Sequence, residues 1–182
     1  MRGRVQGGTT VAASKKAFSI GFDNIGWLDG SEDDLNDYCA HAHAVARIGD
    51  ETFEYEATVS ATALYLLKSL SEDPRAYSEE QFLPCCGFNI FEKGDGTGDV
   101  VILGCPNGID WDLVHSGDEV ILTTDSGKKT VVPFEAYREE VLAFADKVES
   151  FYRSQPPREP AEDDAPAYRT FWEEWHRRRR GA

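Results

Sequence analysis

Residues 39–59 read CAHAHAVARIGDETFEYEATV, two runs of alternating side chains broken by Gly49-Asp50. A two-residue break with glycine first is a hairpin turn. Folded about that turn, Ala44 faces Tyr55 and Ala46 faces Phe53 on one side of the ribbon. On the other side His43 faces Glu56 and Val45 faces Glu54, with Arg47 diagonal to Glu54. Side chains alternate across a strand, so Ala40, Ala42, Ala44 and Ala46 share one face and Cys39, His41, His43 and Arg47 the other. The alanine and aromatic face is the core side, shallow enough for a helix to approach closely.

That helix is expected over Ser60–Ser71, where Ala61, Leu64, Tyr65 and Leu67 recur with a 3.6-residue rhythm and Pro74 provides the stop. Upstream, a first strand covers Ala17–Phe22 and an acidic loop or helical turn covers Asp29–Asp37. Downstream, Phe88–Phe91 and Val100–Leu103 flank the loop GDGTGD. Ile109–His115, Glu119–Thr124 and Lys129–Val132 follow, separated by tight turns, as in an antiparallel meander. Phe134–Tyr152 carries the strongest helical stripe, built from Tyr137, Val141, Phe144, Ala145 and Val148.

The expected fold class is therefore α+β: an antiparallel sheet of five to seven strands packed by two or three helices. The expected organisation is a flexible leader over 1–14 and one domain over 15–154. A proline-rich acidic linker over 155–167 then leads to an amphipathic helix over 168–182. On that last helix Tyr168, Phe171, Trp172 and Trp175 mark one aromatic face, ahead of the basic tip Arg177–Arg180. Fold-back onto the body is favoured over docking on a partner, since so apolar a face would otherwise aggregate.

Composition narrows function. In 182 residues, 41% are hydrophobic, and 33 Asp+Glu stand against 19 Lys+Arg, a formal charge of −14. Phosphate and anionic lipid are bound by cationic side chains, so a nucleic-acid or membrane-surface role is disfavoured. No apolar run approaches the ~20 residues a spanning helix needs, and a cytoplasmic location is the default.

Four candidate sites carry some chemistry. Cys39-x-His41-x-His43 places thiolate and imidazole at strand spacing, suitable for zinc, with Cys105 or His115 as a possible fourth ligand. Opposed to it, Glu54 and Glu56 can simply pair with His43 and Arg47. Cys105 and His115 form a conceivable nucleophile pair, though nothing marks an orienting partner. GDGTGD resembles a phosphate or calcium loop but lacks the closing residues of either. Cys85 and Cys86 are adjacent rather than spaced as structural zinc ligands, and all four cysteines read as free buried thiols. No metal or cofactor is expected.

Residues 105–152, CPNGIDWDLVHSGDEVILTTDSGKKTVVPFEAYREEVLAFADKVESFY, with the FWEEWHRRRR ending, resemble small acidic bacterial proteins of the polymorphic-toxin immunity type. The resemblance implies a non-catalytic protein that binds and neutralises a cognate toxin. Charge complementarity then predicts a basic partner and an acidic contact surface. Glu54, Glu56, Asp110 and Asp112 are the expected partner-binding acids, because strands hold them rigid. The competing expectations are a small zinc- or thiol-dependent enzyme using Cys39, His41 and His43, and a structural or phage accessory protein.

Overall fold

The computed structural model describes residues 16–28, 34–73 and 81–182. The expected leader, most of the acidic loop at 29–37 and the Pro74 stop lie outside the described residues.

The chain is α+β, and its described residues form three antiparallel sheets and three helices. Strands β1 (Phe18–Gly26), β2 (His41–Ile48) and β3 (Glu51–Thr58) form the first sheet, in that order. The β2–β3 register is the one expected: Ala44 opposite Tyr55, Ala46 opposite Phe53 and His43 opposite Glu56. Gly49 supplies the left-handed φ of 62° that the first turn position demands, while Asp50 keeps an ordinary negative φ. Ala42, Ala44, Ala46 and Ile48 are buried and the intervening side chains are wetter, so the core face is the expected one.

Helix α1 (Val59–Lys68) follows β3 without a loop. It was expected to show one apolar face, yet all ten of its residues are buried. A helix enclosed on every side needs neighbours on every side. They are the β2–β3 ribbon beneath it and two further helices, α2 (Phe134–Ser154) and α3 (Ala165–Gly181). Alanines on the ribbon and at positions 61 and 63 allow the close approach.

The short strands do not join the first sheet. Strands β4 (Asn89–Glu92) and β5 (Val100–Leu103) pair only with each other, and β6 (Asp112–Ser116), β7 (Glu119–Thr123) and β8 (Lys129–Pro133) form a separate meander. An antiparallel sheet of five to seven strands was expected; the described residues form eight strands in three sheets. Each hairpin buries its own apolar side against the helices, so none requires a neighbour's edge.

Helix α3 folds back, packing on α1, β4 and β5. Its buried face is Ala167, Thr170, Phe171, Glu174 and Trp175, rotated from the all-aromatic stripe expected, so that Tyr168 and Trp172 only flank it. An acid thus occupies the buried stripe. The Glu174 carboxylate accepts from the Val100 amide at 2.7 Å and from Arg178 Nε at 2.6 Å, and lies 3.8 Å from Lys68 Nζ. Lys68 in turn donates to the Val100 carbonyl at 3.0 Å. The basic tip meets the acidic body: Arg177 and Arg178 pair with Asp99, Arg178 also with Glu72, and Arg179 with Asp146.

Candidate functional site

The four expected partner-binding acids divide between two sheets. Glu54 and Glu56 leave β3 on its outer face, with side chains 62% and 81% exposed. Between them sits His43, whose Nδ1 lies 3.0 Å from Glu56 and whose Nε2 lies 3.9 Å from Glu54.

Asp110 and Asp112 flank Trp111, which is buried by stacking on Phe82 at 4.6 Å and 7°. Asp110 accepts the Phe82 amide at 3.2 Å, so one of its oxygens serves the fold. Asp112 opens β6 on the outer face of the meander. There the register sets Val114 opposite Ile121 and Ile121 opposite Val131, one residue from each strand in a single row. Val114 and Val131 are each 49% exposed. Alternation places Asp112, Glu119 and Lys129 on this same face, bordering the apolar row. An apolar centre with a charged border is the anatomy of a protein–protein contact.

The candidate site Cys39, His41 and His43, weighed from its strand spacing, does not assemble. Cys39 is buried with its Sγ on the Gly87 carbonyl at 3.1 Å, and burial pushes its thiol pKa well up. His41 spends both ring nitrogens, Nδ1 on the Cys39 carbonyl at 2.8 Å and Nε2 on the Thr58 hydroxyl at 3.0 Å. A carbonyl only accepts, so Nδ1 carries the proton and Nε2 accepts. Burial lowers the His41 pKa and favours this neutral ring. His115 is likewise occupied, with Nε2 on the Ser69 carbonyl at 2.9 Å, and has no place beside Cys105.

Three thiols read as independent buried side chains meet instead. Cys86 Sγ is 3.6 Å from Cys85 Sγ and 3.4 Å from Cys105 Sγ, and all three sulfurs lie within 4.8 Å of one another. None is fully buried. Cys105 is the natural acceptor of the group: hydrogen bonds from Cys85 and from the Asn107 amide lower its pKa. Cys85, which donates to it, is pushed up to about 11. No spacing rule signals this cluster, because adjacent cysteines meet a third one 19 residues on only through tertiary pairing.

A groove of about 420 Å³ lies between the end of α2, residues 156–158 and α3, lined by Tyr152, Arg158, Tyr168, Trp172 and His176. Its nearest carboxylate, Glu149, is already held by Arg153 and His176.

Comparison with known proteins finds no matching family model, no matching curated protein and no matching solved structure. Among the described residues no helix is long and apolar enough to cross a membrane.

Proposed function

We propose that this protein is a non-catalytic binding partner of another protein, of the kind that neutralises a basic toxin, and that it engages through the outer face of the β6–β8 meander. The observation that carries this reading is the row Val114–Ile121–Val131, on the outer face in register and bordered by Asp112, Glu119 and Lys129. Leaving apolar side chains wet costs about 25 cal/mol per Å² of area that burial would recover. A partner's surface supplies that burial. The surrounding acids favour a cationic partner and speed encounter.

The charge distribution supports the same reading. Three of the four arginines of the basic tip, Arg177, Arg178 and Arg179, pair with acids of the body, which weakens it as a phosphate-binding element. Glu54 and Glu56 add a second, steering patch.

The test is binding to purified basic toxin domains, cationic nucleases first, measured by surface plasmon resonance over a range of salt. Val131→Asp is expected to speed dissociation at least about tenfold, because it puts a charge in the apolar centre. Glu54→Lys with Glu56→Lys is expected to slow association while leaving dissociation nearly unchanged. Binding indifferent to both Val131→Asp and Asp112→Lys would refute the assigned face.

A further inference from the structure

We propose that Cys85, Cys86 and Cys105 form a zinc site, three thiolates on one Zn²⁺ with the fourth position open to an outside ligand. This goes beyond the binding role above and does not depend on it.

The first support is spacing. A tetrahedral zinc about 2.3 Å from each sulfur sets those sulfurs about 3.8 Å apart. Cys86 already stands 3.6 Å and 3.4 Å from the other two. Cys85 and Cys105 lie within 4.8 Å of each other, so the ion enters with shifts of about an ångström or less. A disulfide would join two of the three and leave the third thiol with no covalent role.

The second support is that the backbone holds the cluster before any ion arrives. Leu83 and Ile109 exchange both amide hydrogen bonds, at 2.9 and 3.0 Å, which sets the Cys85-Cys86 segment beside Cys105. The Pro84 carbonyl is fixed by the Thr58 amide at 2.9 Å. Glycines permit this closeness. A Cβ on Gly108 would stand 2.6 Å from the Leu83 carbonyl oxygen, and one on Gly87 2.4 Å from Thr58 Cγ2.

The third support is the open fourth position. Among the described residues no fourth His, Cys, Asp or Glu joins the group, and its three members are partly exposed. Three protein ligands and an accessible fourth position describe a reactive or exchangeable zinc rather than a closed structural one.

The test uses the reduced full-length chain, stripped by chelator and titrated with Co²⁺ and then Zn²⁺ under anaerobic conditions. The expected result is a thiolate-to-cobalt charge-transfer band with the intense visible spectrum of a tetrahedral ion, saturating at one equivalent and bleached by zinc. Zinc should also slow alkylation of the three thiols at least about tenfold, a measurement that needs no variant. Cys86→Ser and Cys105→Ser should each weaken zinc binding at least about tenfold, the scale on which even outer-shell losses act. His41→Ala with His43→Ala should leave it unchanged. A weak octahedral cobalt spectrum, equal alkylation with and without zinc, or full affinity in the serine variants would overturn the site.

Discussion

Replacing Glu174 by alanine tests how α3 is held. The Glu174 side chain is fully buried and its carboxylate serves three donors: the Val100 amide at 2.7 Å, Arg178 Nε at 2.6 Å and, more distantly, Lys68 Nζ at 3.8 Å. Arg178 has other acids in Asp99 and Glu72. Lys68 keeps the Val100 carbonyl, but its ammonium, with only 8% of the side chain exposed, loses the nearby negative charge. The Val100 amide, at the start of β5, loses its acceptor. Removing one member of a buried ion pair costs about 3–5 kcal/mol, because the other charge stays desolvated. In a chain of this length each kcal/mol moves the melting temperature by roughly 2–4 °C, so Glu174→Ala should melt roughly 6–20 °C early. Urea unfolding followed by tryptophan fluorescence measures the loss directly. Lys68→Met in the Glu174→Leu background should recover most of it, since an apolar pair of similar volume removes both desolvated charges. A Glu174→Ala midpoint within about 0.5 kcal/mol of the parent, the range of an ordinary surface substitution, would show that aromatic packing alone seats the helix.

Other expectations follow from single contacts. Tyr152→Phe removes a hydroxyl that accepts the Ala40 amide at 3.0 Å and donates to the Tyr38 carbonyl at 2.7 Å, so it should cost about 1–3 kcal/mol in urea unfolding. Gly108→Ala forces the Leu83–Ile109 bridge apart; it should lower stability and raise the alkylation rate of Cys86, and a variant as stable as the parent would contradict the close approach. His41 has a folded pKa below its ordinary 6.5, so the unfolded chain binds the proton first as pH falls. The stability it contributes is complete above that ordinary value and is lost as pH drops toward the folded one. His41→Gln should therefore show a smaller loss of stability than the parent between about pH 7.5 and 5.5, measured by urea midpoints.

Much of this architecture is written in short-range pattern. The Gly49-Asp50 turn, with one positive φ available, sets the β2–β3 register, and a register once set assigns every side chain to a face. The stripe Tyr137, Val141, Phe144, Ala145, Val148 marks the buried side of α2 in the same way, because helical period depends on nothing outside the helix. The meander strands, too, are bounded by their own turn residues. Fold class is legible for that reason.

What tertiary structure decided has a common cause: it depends on which distant segments meet. Complete burial of α1 follows from having the ribbon on one side and α2 and α3 on the others, and no pattern within Val59–Lys68 counts its neighbours. Separation of the strands into three sheets depends on which apolar faces the helices cover. Glu174 lies in a buried stripe because Lys68 arrives from α1 and the Val100 amide from β5 to join Arg178, one turn along its own helix, whereas charge patterning alone reads it as solvated. Cys39, His41 and His43 have strand spacing yet are dispersed, since each ring nitrogen and the buried sulfur find partners nearer than one another. Cys85, Cys86 and Cys105 have no such spacing and come together through one bridge, Leu83 to Ile109. Sequence by itself determined where the chain is helical or extended and which face of each element is apolar, because those are local properties of the backbone. Tertiary structure alone decided which polar groups share a site, because a contact between remote residues is set by the packing of everything between them.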